Sequence, residues 1–115
     1  MSAGWNDAKP PAEAWRPTRT RPADRAAEQD QAAGGRAARE RRLDNGQLVH
    51  ASVCLRIYAK TRRIRAYLRW SDQGKTRERY IGEVGHPTRT ENLNEAWARA
   101  HARNLLAPNT TQADP

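Results

Sequence analysis

The chain has 115 residues, and its 21 Lys and Arg against 13 Asp and Glu give a formal net charge of +8 at pH 7. This length accommodates one ordinary domain with tails, and a hydrophobic content of 37 % excludes a large core. A single Cys excludes an intramolecular disulfide framework, and no apolar run has the length of a membrane span or signal peptide. We therefore expect a basic cytoplasmic protein without membrane association, for which polyanions are the favoured partners.

The N-terminal part of the chain is poor in apolar side chains. The first 42 residues contain no Val, Ile or Leu, and prolines and the pair Gly34-Gly35 interrupt them. Such a segment buries too little surface to offset the conformational entropy lost on ordering. We predict that residues 1–46 form a disordered or transiently helical tail rich in Ala, Arg and Pro. Residues 23–33 and 36–43 are its candidate helical pieces.

The turn signal Asn45-Gly46 marks the predicted end of this tail. Residues 47–107 then form the predicted folded domain, and residues 108–115 a frayed polar tail. Large aromatic residues are unusual in an inert tail, yet this one contains Trp5 and Trp15. They indicate either a docking motif for a protein partner or loose packing on the domain.

Three segments of the domain have the two-residue period of half-buried strands. Apolar and polar residues alternate almost perfectly over residues 49–60 and again over 63–71. A third strand is predicted over 75–84 with less regular alternation: Tyr80 and Val84 share one face, and the other face carries Lys75, Arg77, Arg79 and Ile81. Gly82 indicates a bulge or a close approach there. Between the second and third strands, Asp72-Gln73-Gly74 predicts a hairpin loop with glycine in the left-handed conformation.

A helix is predicted to follow the strands. Thr88 and Glu91 have the spacing of a capping box, and residues 89–106 carry an apolar stripe that includes Leu93 and Trp97. The predicted fold is therefore α+β: a three-stranded antiparallel sheet packed by one C-terminal helix, in the order β-β-β-α. The predicted core residues are Val53, Leu55, Ile57, Ile64, Leu68, Trp70, Leu93 and Trp97.

The second face of this sheet gives the main indication of function. In residues 56–79 nine Lys and Arg stand against two acids, Asp72 and Glu78. A solvated face ordinarily mixes charges of both signs, whereas arginine forks suit phosphates and guanine edges. We predict a nucleic-acid-binding face, and assign to it nine residues: Arg56, Tyr58, Arg63, Arg65, Tyr67, Arg69, Lys75, Arg77 and Arg79.

This pattern resembles small DNA-binding domains of the integrase arm-binding type and of the plant ethylene-response type. The resemblance covers residues 49–106, and the runs 64–70 and 77–83 are also similar to short uncharacterised proteins of bacterial mobile elements. In those families the sheet enters the major groove and the helix supports it. The resemblance implies a duplex-DNA-binding accessory or regulatory factor of a phage, plasmid or integrative element. It implies contacts by seven of the nine residues: Arg56, Arg63, Arg65, Tyr67, Arg69, Arg77 and Arg79.

Catalytic and cofactor chemistry find little support in the sequence. Gly74-Lys75-Thr76 resembles the end of a phosphate-binding loop, but Arg69 occupies the position of the required glycine. His50 and Cys54 lie too far apart along a strand for a nucleophile and its base. His86 and His101 have no neighbouring ligand at metal-binding spacing. We therefore expect a binding protein that is not an enzyme and needs no metal or cofactor.

Two alternatives stay open at this point. A basic domain with an Arg/Ala tail also suits RNA binding or ribosome association, and the sequence does not separate the two polyanions. In the other alternative, the domain is a scaffold and its tail binds a protein partner through Trp5 and Trp15. The oligomeric state is left undetermined.

Overall fold

A computed structural model describes residues 10–18, 21–58 and 63–107 of the chain. Two 3₁₀ turns lie at Ala12–Ala14 and Ala37–Arg39, and the remaining elements are α1 (Pro22–Ala33), β1 (Glu40–Arg42), β2 (Leu48–His50), β3 (Ser52–Tyr58), β4 (Arg63–Asp72), β5 (Lys75–Val84) and α2 (Arg89–Ala102). Neither α1 nor α2 has the length and apolar composition of a membrane-crossing segment.

The predicted three-stranded antiparallel sheet with a C-terminal helix is confirmed. Its strand order is β3-β4-β5, and α2 packs across one face, which we call the helix side. Alternate residues of β4, such as Ile64 and Leu68, are buried there because successive side chains of a strand point to opposite faces. Trp97 of α2, 1 % exposed, packs into the same core. Six of the eight predicted core residues are buried, and Ile57 and Trp70 pack against that core half-buried.

The β4–β5 hairpin follows the predicted turn and contains the predicted irregularity. Gln73 and Gly74 both have positive φ, as a tight two-residue turn requires. In β5 a bulge adds Ile81 between the pairs Ala66↔Gly82 and Tyr67↔Tyr80. Gly82 also permits a close approach, since a Cβ at this position would lie 2.6 Å from Nη1 of Arg99.

The structure differs from the sequence prediction within residues 22–50, of which 22–46 were expected to belong to a disordered or transiently helical tail. The predicted helical piece 23–33 is present as α1, but residues 36–43 contain a 3₁₀ turn and β1 rather than a helix. Asn45-Gly46 lies in the β1–β2 turn, so it connects two paired strands rather than marking a domain boundary. Trp5 and residues 108–115 lie outside the described residues.

Polar side chains account for the order of this N-terminal region, which composition did not indicate. Arg39 is buried; its Nε donates to the carbonyl of Ala51 at 2.9 Å and its Nη1 lies 2.7 Å from Oδ1 of Asp30. The amide of Ala51 in turn donates to the carbonyl of Arg39. This exchange interrupts the strand predicted over 49–60, so β2 and β3 are separate and belong to different sheets.

Local interactions and backbone conformation determine where α2 begins and ends. The Thr88 hydroxyl accepts a hydrogen bond from the Glu91 amide at 3.3 Å, which confirms the predicted N-cap. The helix ends at Ala102 rather than at the predicted residue 106, because Asn104 adopts a left-handed conformation with φ of 59°. Leu105 and Leu106 then turn back and are buried in the core.

Candidate nucleic-acid interface

The face of the sheet opposite α2, which we call the outer face, carries five of the predicted site residues with described side chains. Directly opposed residues of antiparallel strands project to the same face. Arg56 of β3 opposes Arg65 of β4, and the outward positions of β4 alternate regularly from Arg63 to Arg69. The outer-face residues among the predicted nine are Arg56, Arg63, Arg65, Tyr67 and Arg69. Tyr58 ends β3, and its side chain lies outside the described part of the structure.

The prediction of a single basic face is wrong for the three basic residues of β5. Lys75, Arg77 and Arg79 oppose Asp72, Trp70 and Leu68, so they project to the helix side. The bulge at Ile81 is the physical reason, because one extra residue moves every side chain beyond it to the other face. The same shift places Tyr80 on the outer face and buries Ile81. The sequence had placed Ile81 with the basic residues and Tyr80 on the face opposite to them.

Glu78 lies among the arginines of the outer face and links two of them. It accepts from Nη1 of Arg56 at 3.0 Å, and its Oε2 lies 3.1 Å from Nε of Arg69. The hydrogen bond from Arg56 lowers the pKa of the Glu78 carboxyl, and the same bond raises the pKa of Arg56. Glu78 therefore stays ionised at neutral pH and offsets part of the positive charge of this face.

Two tyrosines form the aromatic part of the outer face. The rings of Tyr67 and Tyr80 have centroids 5.4 Å apart and are tilted by 53°. The guanidinium of Arg56 lies over Tyr67 at 4.8 Å, and that of Arg65 lies over Tyr80 at 5.8 Å. Such cation–π contacts hold the guanidinium planes against the rings and restrict their motion. The outer face is thus a surface of guanidinium groups and rings, with Tyr80 47 % exposed.

At one corner of this face Arg63 bonds to Glu83 at 3.2 Å. The described outer face therefore has four arginines, Arg56, Arg63, Arg65 and Arg69, against Glu78 and Glu83. All these ion pairs lie at the surface, where salt screens them and each contributes little to stability. Their arginines can exchange a carboxylate partner for a phosphate at small cost.

The helix side of the β4–β5 hairpin carries a second group of cations. Arg77 lies 3.6 Å from Asp72, while Lys75 and Arg79 are exposed. Arg41 of β1 packs its guanidinium over the Trp70 ring at 4.1 Å. Burial lowers the pKa of Arg41, and the neighbouring charge of Arg79 lowers it further. Positive charge is consequently concentrated on both faces of one hairpin.

Sequence reasoning missed three contributors to these surfaces. Arg41 was assigned to the predicted tail, Tyr80 to the wrong face, and Glu78 was noted only as an acid in a basic run. The sequence placed Tyr80 and Val84 on one face and indicated a bulge or close approach at Gly82, but it did not show that the bulge moves the two residues to opposite faces. Among the described residues no cluster of His, Cys, Asp and Glu is arranged to hold a metal ion.

In comparisons with protein-family models, curated proteins and solved structures, the chain has no significant match.

Proposed function

We propose that this chain is a non-enzymatic nucleic-acid-binding protein that inserts its β4–β5 hairpin into a groove of duplex DNA. The observation that carries the proposal is the presence of cations on both faces of the hairpin. Beyond Arg69 the β4 strand extends past its pairing with β3, so the hairpin continues as a two-stranded ribbon. The major groove of DNA, about 12 Å wide, admits such a ribbon. A ribbon in a groove has a phosphate backbone along each side.

The two faces have different proposed roles. The outer face, with Arg65, Tyr67 and Arg69 on the central strand, has the planar groups that bind base edges. The helix side, with Lys75, Arg77 and Arg79, has flexible exposed cations that suit phosphates. Membership of a phage, plasmid or integrative element stays a sequence-based prediction.

Titration of a labelled DNA duplex at several salt concentrations tests the proposal. About six to eight phosphate contacts give a slope of log affinity against log salt of about −5 to −7. A flat dependence, or no binding at about 50 mM salt, would contradict it.

RNA binding is the second candidate, and the observation that favours it is the Tyr67–Tyr80 pair on the outer face, in which Tyr67 is half-buried and Tyr80 is exposed. Unpaired bases stack on aromatic side chains that lie on a sheet surface. Competition among duplex DNA, single-stranded RNA and structured RNA separates the candidates. Stronger displacement by single-stranded RNA than by duplex DNA supports the second candidate, and equal displacement by all three indicates charge attraction alone.

A further inference from the structure

The edge of β3 that does not pair with β4 runs along a cleft next to the first turns of α1. The cleft has a volume of about 360 Å³, and its lining includes Pro22 and Arg25 on one side and Val53 to Leu55 on the other. Among the described strands β3 pairs only with β4, so no described strand covers this edge. An open strand edge presents N–H and C=O groups that an extended chain can pair with.

One position of this edge shows how a ligand can pair with it. Nε2 of Gln29 donates to the carbonyl of Val53 at 3.0 Å, and Oε1 of Gln29 accepts from the Val53 amide at 2.9 Å. A side-chain amide thus takes both hydrogen bonds that an added strand makes. Backbone groups facing one edge recur at every second residue, so those of Leu55 and Ile57 face the same way.

The lining of the cleft contains more basic than acidic side chains. Four arginines line it against one acid, Glu28. Arg89 is bound to Glu28 through two hydrogen bonds, and Arg39 is bound to Asp30. The lining arginines at the open rim are Arg25, which is exposed, and Arg69, which is 44 % exposed and shares Glu78 with Arg56.

We propose that the β3 edge binds an extended acidic peptide segment of a partner protein. The segment pairs its backbone with Leu55 and Ile57 as a fourth strand and places carboxylates near Arg25 and Arg69. Adding a strand in this way derives affinity from main-chain hydrogen bonds, and the side chains supply specificity. A polynucleotide matches the charge of the cleft but has no alternating N–H and C=O groups for the edge. Peptide binding at this edge does not depend on nucleic-acid binding.

The probe is a fluorescent, end-capped peptide of about eight residues that alternates Glu and Val, the length of an ordinary strand. We expect binding, with the largest amide chemical-shift changes and slowed hydrogen exchange at Leu55 and Ile57. A control peptide of the same sequence carries N-methyl groups on alternate residues, so it keeps its charge but loses donors. The loss of two backbone hydrogen bonds should make the methylated peptide bind about tenfold or more weakly than the unmethylated one.

A pair of charge-reversal variants tests the rim. Arg25→Glu is expected to weaken peptide binding by about fivefold. Arg36 is exposed and lies outside the cleft lining, so Arg36→Glu is expected to change peptide binding less than twofold.

Equal binding of the two peptides, chemical-shift changes confined to the outer face, or no binding by either peptide would overturn the proposal. Concentration-dependent shifts at Leu55 without peptide would overturn it in favour of a second copy of the chain. Peptide binding without duplex binding would support this inference and reject the proposed function.

Discussion

Arginine has different roles in two regions of this molecule. In the N-terminal region, residues 22–50, Arg39 is buried and bonds to a carbonyl, a carboxylate and a hydroxyl. On the outer face of the sheet, Arg56 and Arg69 share a carboxylate at the surface and remain about half exposed. The comparison shows that the number of arginines in a sequence does not indicate their role. Burial and the type of partner separate those that hold the fold from those available to a ligand.

Replacing the buried Arg39 tests this distinction, and of the substitutions considered it should have the largest effect on stability. Arg39→Met removes the bonds to Ala51 and Ser52 and leaves Asp30 without its cation. We expect the free energy of unfolding in urea to fall by about 3–5 kcal/mol, because a half-buried charge loses its partner. The matched control is Arg36→Met, an exposed position expected to change stability by less than about 0.5 kcal/mol. Equal stability of the two variants would show that Arg39 is not a structural residue.

Gln29 tests whether a neutral polar group has the same role. Its amide exchanges two hydrogen bonds with Val53, and its Oε1 also accepts from Nε1 of Trp97 at 3.1 Å. Gln29→Leu keeps the approximate size and removes all three bonds, so we expect a loss of about 2–3 kcal/mol in the same urea assay. Native-state hydrogen exchange checks the cause. The Val53 amide should lose protection, and unchanged protection there would contradict the assignment.

The outer-face arginines are tested by binding instead of by stability. Arg69→Ala should leave circular dichroism unchanged and reduce discrimination between the preferred and a mismatched duplex by about 1–3 kcal/mol. Arg63→Ala is the matched control, because Arg63 lies on the same face at a corner beside Glu83. Equal loss of discrimination in both variants would argue against a specific base contact by Arg69.

The helix side of the hairpin should affect affinity without affecting sequence preference. Arg77 is exposed and bound only loosely to Asp72, so Arg77→Ala should weaken binding to all duplexes alike. We expect the salt slope to fall by about one unit, the change for one lost phosphate contact. Arg36→Ala removes the same charge away from the hairpin and should leave the slope unchanged. A change of sequence preference in Arg77→Ala would instead place this residue at a base.

The sequence predicted the sheet, its turn, the α2 cap and most of the core, because these follow from local periodicity and capping chemistry. It did not predict which face Lys75, Arg77 and Arg79 occupy, since the bulge at Ile81 depends on the packing of Ile81 and Gly82 against α2. The order of the N-terminal region was also missed. Counting apolar residues assumes that burial is hydrophobic, whereas Gln29 and Arg39 are buried through hydrogen bonds to residues 51–53.

The last test removes a negative charge from the outer face, whereas the two preceding tests each remove a positive charge. Glu78 draws Arg56 and Arg69 together, so Glu78→Gln frees two guanidinium groups and removes one negative charge from the proposed interface. We expect tighter duplex binding and a salt slope steeper by about one unit. Glu13→Gln is the matched control, because Glu13 lies exposed in the Ala12–Ala14 turn, which packs on α2 at the helix side.

Lowering the pH should have the same effect on duplex binding in the unmodified protein as Glu78→Gln has at neutral pH. The pKa of Glu78 is lowered in the folded state, so its pairing stabilises the fold above the ordinary glutamate range and is lost as pH falls through the lowered pKa. Protonation of Glu78 should therefore bring the duplex affinity of the unmodified chain closer to that of Glu78→Gln. Because the pKa of Glu78 is lowered, the difference between the two proteins should shrink only below the ordinary range of a glutamate. Weaker binding by Glu78→Gln at neutral pH would mean that the carboxylate orients Arg56 and Arg69 for contact instead of competing with phosphate.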